Sequence, residues 1–384
     1  MSNRSVISEK AVLLKNPVSL GTMFLCGSAV FFVGEISLPL ASPSYVVLLA
    51  IALVGAVTVI RTNRFVASWP LFVLVAGGLF VLLGIQETRY GLASGIVNEV
   101  ARVVVPILYY PIAMGLFTMM RPRDRHHVVL QTQRFLLAFF ALELGTRLAL
   151  TVLYGQFTLA TFYVFKPHSL FFADSNFPGY LLALNVAFLV IVRRFFQVPR
   201  RYVVFTLVLV VFTFSRASTI TSIAVVFLDW ADRHLSKPIF VGGFVAATLA
   251  GSVLVGVVQE YDTSFFTKLK IWQEFIRHYT ESAPQQALLG IGSGNLRTVF
   301  RYASHTIAGL AVELGILWVV LIMLLNLWLA ARSRWRALLL VFASLFPGAF
   351  SLYPIAYNAL FFALVAFVTV LATEQLPAPR IREE

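Results

Sequence analysis

The chain has 384 residues, of which 59% are hydrophobic and 12% are charged, and its mean hydropathy is +0.85. Soluble domains carry about 25% charged residues, so this composition excludes an ordinary soluble protein and predicts an all-α, polytopic membrane protein. The formal net charge of +13 does not indicate nucleic-acid binding, because the basic residues form short clusters between apolar runs, where they orient helices. The single cysteine, Cys26, excludes an intrachain disulfide and a thiolate metal cluster.

A membrane-spanning helix needs roughly 20 apolar residues. On this criterion the apolar runs predict twelve spans in one transmembrane domain that covers residues 1–384. Their approximate limits are 17–34, 44–60, 66–85, 98–119, 129–154, 177–196, 202–215, 217–230, 238–258, 306–330, 336–350 and 355–373. The basic N-terminus precedes the first run without an A-x-A cleavage site, so we interpret this run as a retained span rather than a signal peptide.

The distribution of Lys and Arg predicts that both termini lie on the inner side of the membrane. Every connection on that side is basic, including RPRDRHH (121–127), RRFFQVPRRY (193–202) and RSRWR (332–336). Several connections on the other side carry acidic residues or almost no charge, and the longest of them is 259–305, between spans nine and ten. This asymmetry is the positive-inside pattern.

Arg216 interrupts an apolar stretch that would otherwise read as one long span. The two flanking segments are short, which indicates either two helices that meet at a tight turn or one broken helix. The predicted topology places Arg216 at the outer end of both segments, where an arginine costs less than at the bilayer midplane. Its side chain either snorkels to the interface or serves a recess that opens outward.

Ten basic residues lie on the predicted outer side, against the orientation bias, and therefore need their own explanation. They are Arg89, Arg102, Arg147, Lys166, Arg216, Lys268, Lys270, Arg277, Arg297 and Arg301. Together they predict a cationic recess that suits an anion, because guanidinium groups match phosphate oxygens with two parallel hydrogen bonds.

Two of these arginines follow a glutamate at helical spacing. Arg147 comes four residues after Glu143, so both side chains share one face of the fifth span. Arg102 follows Glu99 at a similar spacing. Each pair is either a self-neutralising ion pair or part of a substrate site. For Arg102, a role as an interfacial anchor is a further alternative.

The aromatic-rich connection 155–176 ends in DSNFPG. Asp174 or Ser175 is suited to cap the helix that Asn176 begins, since Pro178 falls in the first turn. The alternative for Asp174 is a role as a ligand for a sugar hydroxyl or as a catalytic partner.

The outer connection 259–305 contains the segment TKLKIWQEFIRHY, whose apolar residues fall on one side of a helix. We expect this amphipathic helix to lie on the membrane surface as a lid. GIGSGN follows, and its glycines predict a tight turn that presents backbone N–H groups rather than a nucleotide loop, because no strand precedes it and no G-K-[ST] follows. His305 and Glu313 come next, at the start of the tenth span.

The sequence contains no HExxH pattern, no paired metal-ligand spacing and no G-x-S-x-G elbow. We therefore expect no metal site, no cofactor and no serine-hydrolase triad.

Four segments carry a resemblance to a known family: TFSRAS (213–218), KLKIW (268–272), LLGIGSGN (288–295) and ASHTIAGLAVELGIL (303–317). On a chain with twelve predicted spans, their spacing resembles the O-antigen polymerase and O-antigen ligase superfamily. FKPHSLFFADSNFPG (165–179) is similar to a stretch before the sixth span of bacterial polysaccharide polymerases.

The resemblance implies a metal-independent, inverting membrane glycosyltransferase of type C, located in the bacterial inner membrane. Its substrate would be an undecaprenyl-diphosphate-linked glycan at the periplasmic face, and its partners would be membrane lipids and a chain-length regulator. By position, Arg216 corresponds to the diphosphate ligand and His305 to the proposed base; Lys268 and Thr306 depart from the usual arginine and asparagine. The substrate-binding candidates are Lys268, Arg147, Arg102, Arg297, Arg301, Asp174, Asn176 and Glu313.

Two activities of this family share the donor chemistry. A polymerase joins repeat units on their lipid carrier, and a ligase transfers the finished chain to lipid A core. A glycolipid transporter and a non-catalytic assembly component are the alternatives from other classes.

Overall fold

The computed structural model of the chain describes residues 17–30, 53, 69–92, 95–153, 171–172, 176–234, 263–296, 306–350 and 358–374. Every regular element within these ranges is a helix, which confirms the all-α prediction for this part of the chain. The helices are α1 (Pro17–Val30), α2 (Trp69–Tyr90), α3 (Ile96–Val103), α4 (Val105–Thr118), α5 (Pro122–Leu153), α6 (Asn176–Val192), α7 (Arg200–Phe212), α8 (Arg216–His234), α9 (Thr263–Glu281), α10 (Pro284–Leu289), α11 (Ile307–Arg332), α12 (Leu338–Phe350) and α13 (Asn358–Thr373).

Several of these helices are long and apolar enough to cross a membrane. Three meet this criterion alone: Pro70–Tyr90, Pro122–Leu153 and Ile307–Arg332. The pair α3 and α4, bent by 41° at their junction, provides a fourth if it is counted as one span. Four shorter apolar helices are Pro17–Ala29, Asn176–Val192, Leu338–Gly348 and Ala359–Thr373. The count of twelve spans and the inward position of both termini stay predictions, and the predicted spans at 44–60 and 238–258 lie outside the described residues except for Leu53.

The outer surface of the helices is apolar, as expected for contact with lipid. Leu74 on α2, Leu153 on α5 and Phe205 on α7 are 73%, 77% and 57% exposed. Large hydrophobic side chains on other helices are similarly exposed. Soluble proteins seldom expose extended apolar patches, so this surface supports a membrane location.

Three helices that are hydrophobic on all sides form the centre of the bundle: α4, α6 and α13. A helix with this pattern is stable only when neighbours or lipid surround it, and here nearly every side chain of α6 and α13 is buried. The Phe367 ring of α13 packs against Phe117 of α4 and Phe188 of α6, with ring centroids 4.7 and 5.5 Å apart. Since Phe117 and Phe188 are both near the C-terminal ends of their helices, α4 and α6 end on the same side.

The side of the bundle where α4, α6 and α13 end is rich in arginine, and we call it the basic end. There Arg125, at the start of α5, donates to the carbonyl oxygens of Phe117 and Met120 (2.8 and 2.7 Å). Arg125 also pairs with Glu374, the residue directly after α13. Arg125 is 1% exposed. It therefore satisfies carbonyls at the end of α4, in addition to its place in a basic connection.

Helix α5 starts at Pro122, seven residues before the predicted fifth span. Most of RPRDRHH, predicted as a connection, is thus helical. Hydropathy marks only the part of a helix that lies in the hydrocarbon, whereas the backbone hydrogen bonds continue beyond it.

Helices α7 and α8 form a hairpin, which decides between the two readings of the Arg216 region. Ser215 and Ser218, at the start of α8, lie against Gly179 at the N-terminal end of α6. Asp229, near the end of α8, accepts a hydrogen bond from Arg194, two residues after the C-terminus of α6 (2.9 Å). Helix α8 thus runs parallel to α6. Because α7 runs back from the end of α6, α7 and α8 are antiparallel and meet at a tight turn.

Candidate functional site

The end of the bundle opposite the basic end is called the loop end. It carries the polar loop 290–296, which we call the glycine loop. Its central feature is a break in α11 at Gly315, where φ is 80° and ψ is 171°. A helix that breaks loses its i to i−4 hydrogen bonds there and leaves carbonyl oxygens without helical donors. The sequence predicted one continuous span at this place.

The freed carbonyl oxygens of α11 bind donors from three other parts of the chain. The Tyr279 hydroxyl donates to the Ala311 oxygen (2.6 Å), and the backbone N–H of Ile291 donates to the Val312 oxygen (3.0 Å). The Glu313 oxygen accepts from the N–H of Gly292 (3.1 Å) and from the Gln86 amide (3.0 Å). The break is therefore the place where α9, the glycine loop and α2 are joined to α11.

Two glycines permit this close approach of two backbones. Gly290 has φ 79° and ψ −176°, and Gly315 has nearly the same values, in a region that is essentially restricted to glycine. A Cβ atom on Gly290 would overlap the Glu313 carbonyl, and one on Gly315 would overlap the Leu288 carbonyl. The predicted tight turn is confirmed, and its glycines also allow the contact with α11.

The N–H groups of the glycine loop are used within the protein. Those of Ile291 and Gly292 bind α11, and those of Gly294 and Leu296 donate to the Glu313 carboxylate, the latter at 3.1 Å. The loop thus forms an anion-binding turn, as the glycines suggested, but the anion that it holds is the side chain of Glu313.

Glu313 belongs to a compact polar cluster with Glu99, Arg102 and Ser293. The Arg102 guanidinium contacts the carboxylates of Glu99 (2.7 Å) and Glu313 (3.7 Å) and donates to the Ser293 hydroxyl (2.6 Å). Ser293 in turn donates to Glu99 (2.6 Å). Glu99 is 1% exposed and Ser293 is fully buried, whereas the Arg102 side chain is 20% exposed, so the carboxylate side of this ion pair is shielded from solvent.

The predicted pairing of Glu99 with Arg102 is confirmed, and the structure adds two partners that are distant in sequence. One guanidinium between two carboxylates is already compensated in charge. Arg102 and Glu313 therefore fix the glycine loop between α3 and α11 in the structure described.

Gln86 is a site residue that the sequence reasoning missed. Its side chain is fully buried and its amide donates to the carbonyl oxygens of Leu289 and Glu313, thereby bridging the two backbones at the break. The available signal was a glutamine near the end of an otherwise apolar run, LFVLLGIQ. A single uncharged amide outside any recognisable motif does not by itself indicate a site.

The predicted pair Glu143 and Arg147 is confirmed as an ion pair, with Arg147 Nε 2.6 Å from Glu143 Oε1 and both side chains fully buried. The pair also binds the backbone before α6: Arg147 donates to the Phe172 oxygen (2.7 Å), and Glu143 accepts from the N–H of Phe171 (3.1 Å). Its observed contacts hold this segment against α5.

The turn between α7 and α8 presents Arg216 at the N-terminus of α8. Phe214 adopts φ 54°, which lets the chain reverse, and the Ser215 hydroxyl is hydrogen-bonded to that of Ser218 (3.0 Å). Gly179 lies beneath them, and a Cβ atom there would come within 2.8 Å of Ser218 Oγ. The turn is thus fixed tightly on the start of α6, while the Arg216 side chain is exposed.

The other predicted site residues are placed as follows. Asn176 begins α6, as predicted, and is half-buried, close in sequence to the Gly179 contact with the Arg216 turn. The Lys268 backbone belongs to α9, but its side chain lies outside the described residues, as do Asp174, Arg297, Arg301 and His305. His305 directly precedes Thr306, whose hydroxyl accepts a hydrogen bond from the N–H of Gly309 (3.1 Å) and caps α11.

Helix α9 is the predicted amphipathic helix, and it is anchored by its last two turns. Phe275 and Tyr279 pack against Ile291, Leu296 and Val312 of the glycine loop and α11. Burial raises the pKa of the Tyr279 phenol to about 12 and lowers the pKa of His278. Tyr279 therefore stays a hydrogen-bond donor at neutral pH.

Replacing Tyr279 by phenylalanine is expected to lower the free energy of unfolding by about 1–2 kcal/mol, because the Ala311 carbonyl loses its donor. Because the native pKa lies above the unfolded value of about 10, this contribution is complete below pH 10 and is lost as pH rises toward 12. Thermal unfolding of the purified protein in detergent measures the effect. The exposed neighbour substitution Thr280→Ala is the control, and equal midpoints for both variants would contradict the assignment.

The described residues form an all-helical protein that has apolar helices able to cross a membrane and a polar loop bound to a broken helix. No protein-family model matches the chain, and no curated protein is significantly similar to it in sequence. Among the residues that the structure describes, no group of three or more His, Cys, Asp or Glu side chains is arranged to hold a metal ion.

Proposed function

We propose that the protein is a membrane glycosyltransferase that polymerises undecaprenyl-diphosphate-linked oligosaccharide repeat units at the periplasmic side of the bacterial inner membrane. The observation that carries the proposal is the exposed Arg216 at the N-terminus of α8, on a turn fixed against α6. A helix N-terminus and a guanidinium group both favour phosphate.

The start of α11 supports the proposal because both residues that flank the segment 297–305 are bound to it. Leu296, directly before this segment, is bound to Glu313, and Thr306, directly after it, caps α11. Arg297, Arg301 and His305 belong to this segment of the sequence, and in the proposal they meet the substrate. Gln86, Arg102 and Tyr279 are positioning residues in this scheme.

The proposed chemistry uses the diphosphate as leaving group. The acceptor hydroxyl of one repeat unit attacks the anomeric carbon of a second, lipid-linked repeat unit, and the bond between that carbon and the diphosphate oxygen breaks. Because the hydroxyl attacks from the face opposite the diphosphate, the configuration of the anomeric carbon is inverted. Arg216 stabilises the negative charge that develops on the diphosphate. His305 accepts the proton of the acceptor hydroxyl, a role that typically contributes about 10²–10⁴-fold.

A transporter is the second candidate, because secondary transporters also contain broken helices whose freed backbone groups bind substrate ions. In this protein the freed carbonyls of Ala311, Val312 and Glu313 accept hydrogen bonds from protein donors. The break therefore serves to attach the loop, which favours the enzyme.

Deletion of the gene in its native host separates the two glycosyl-transfer reactions. Loss of a polymerase leaves a product with a single repeat, whereas loss of a ligase leaves bare lipid A core while lipid-linked polymer accumulates. We expect the single-repeat product, and we expect a His305→Ala variant, present at normal levels, to fail to restore polymer. Polymer restored by that variant would favour a non-catalytic assembly role, and glycolipid translocation by proteoliposomes, unaffected by the substitution, would favour a transporter.

A further inference from the structure

A group of arginines lies together at the basic end. They come together where α6 and α8 end, where α7 begins, and at the connection between α11 and α12. We call the following residues the arginine cluster: Arg193, Arg194, Arg200, Arg201, Arg233 and Arg336, with the aspartates Asp229 and Asp232. The cluster has six positive and two negative side chains.

The two aspartates are already engaged. Arg194 contacts Asp229 through Nε (2.9 Å) and Asp232 through Nη2 (3.0 Å), and Arg233 contacts Asp229 (2.6 Å). The Arg336 guanidinium lies 6.0 Å from the ring centroid of Phe195, the neighbour of Arg194. The connection between α11 and α12 thus brings a further positive charge to the turn between α6 and α7.

Like charges face each other within the cluster. Arg193 is half-buried beside the bound aspartate, and its pKa is lowered by burial first and then by Arg200 and Arg233, with Asp229 acting in the opposite direction. The C-terminal ends of α6 and α8 offset part of this repulsion. Among the described residues, Arg193, Arg200 and Arg336 have no salt bridge to a carboxylate within 4.0 Å, so an anion from outside the chain would relieve the excess charge.

Aromatic residues indicate the level of the membrane at which the cluster lies. Trp230, one residue after Asp229, is 47% exposed, and Trp335, one residue before Arg336, is 58% exposed. Exposed tryptophans at the ends of apolar helices are typical of the boundary between hydrocarbon and headgroups. Arg334 and Trp335 both adopt positive φ (52° and 63°), so the connection holds a conformation that non-glycine residues seldom adopt.

We propose that the arginine cluster binds the phosphate group of an anionic phospholipid at the basic end. Guanidinium groups of Arg193, Arg200 and Arg336 surround the phosphate, and Arg194 and Arg233, held by the aspartates, form the base of the site. The lipid is the source that the exposed tryptophans favour, because they place the cluster at headgroup level; free phosphate offers the same chemistry without acyl chains.

The test uses the purified full-length protein, freed of lipid and returned to detergent with phosphatidylglycerol, phosphatidylcholine or inorganic phosphate. Native mass spectrometry counts bound lipid, and thermal unfolding measures stabilisation. We expect wild-type protein to retain phosphatidylglycerol in preference to phosphatidylcholine, and we expect Arg193→Gln with Arg200→Gln to weaken this retention about 30-fold. The double variant Arg121→Gln with Arg123→Gln, which loses the same charge at exposed positions of the basic end outside the arginine cluster, should retain the lipid as wild type does.

Equal retention of the two lipids by wild-type protein, or unchanged retention by the Arg193 and Arg200 variant, would overturn the proposal. Stabilisation by inorganic phosphate without retention of phosphatidylglycerol would overturn the lipid source. If the double variant fails to fold, the single variant Arg200→Gln, at an exposed position, is used for the same measurement. Lower stability of this variant without any change in lipid preference would show that the arginines stabilise the helix bundle and do not bind lipid.

Discussion

Replacement of Arg216 by alanine is expected to lower the rate of polymer formation by about 10²–10³-fold, the usual effect of removing one group that stabilises developing charge. Arg216 is exposed at the start of α8, whereas Ser215 and Ser218 pack the turn against Gly179, so we expect the variant to fold. Arg216→Lys keeps the charge but loses the paired donors, and we expect its rate to fall between those of alanine and wild type. Turnover of purified lipid-linked repeat units in detergent measures the three rates.

The control for this experiment is Arg121→Ala. Arg121 is an exposed arginine at the basic end and pairs with Asp124, three residues further along (3.0 Å), so its removal changes the net charge equally without changing the proposed site. We expect its rate to equal that of wild type. Full activity of Arg216→Ala, or equal losses of activity in both variants, would contradict the role of Arg216 on which the proposed function depends.

Gly315→Ala is expected to destabilise the protein by more than about 3 kcal/mol and to abolish polymer formation. The backbone at Gly315 lies in a region that costs other residues about 1–3 kcal/mol, and the added Cβ would overlap the Leu288 carbonyl and come within 2.6 Å of the Gly290 nitrogen. Since both obstacles are backbone atoms, the loop must separate from α11. Thermal unfolding and trypsin cleavage at Arg277, which is exposed near the end of α9, report this separation.

A matched glycine substitution separates loss of the contact from a general effect of alanine. Gly78 lies within α2, and an added Cβ there meets no atom within 4 Å; we expect Gly78→Ala to change stability by less than about 1 kcal/mol, toward greater stability. An unchanged unfolding midpoint and unchanged trypsin resistance for Gly315→Ala would show that the loop is not held at the break.

The local pairs of the candidate site could be predicted from sequence because helical spacing determines them. Glu143 with Arg147, and Glu99 with Arg102, are one turn apart, and each forms the ion pair that its spacing indicated. The glycine turn and the start of α6 at Asn176 were also predictable, since they depend on the conformations available to a few adjacent residues.

The long-range contacts could not be predicted in the same way. Gln86 and Glu313 are separated by 227 residues, and no feature near either residue indicates the other. The break at Gly315 could not be predicted for a related reason. Within an apolar run, one glycine is compatible with a continuous helix, and only the close approach of backbone atoms of Leu288, Leu289 and Gly290 shows that this position excludes a side chain.

The amino-acid sequence by itself determined the helical, apolar character of the chain, the clustering of basic residues between its helices and the pairs one helical turn apart, because hydrophobicity and helix periodicity act over a few neighbouring residues. Only the tertiary structure decided that α11 breaks, that Glu313 occupies the glycine loop and that Arg216 stands on a hairpin turn fixed to α6. These features arise where backbones distant in sequence meet, since each unpaired carbonyl or N–H must find a donor or acceptor wherever the packing of the bundle provides one.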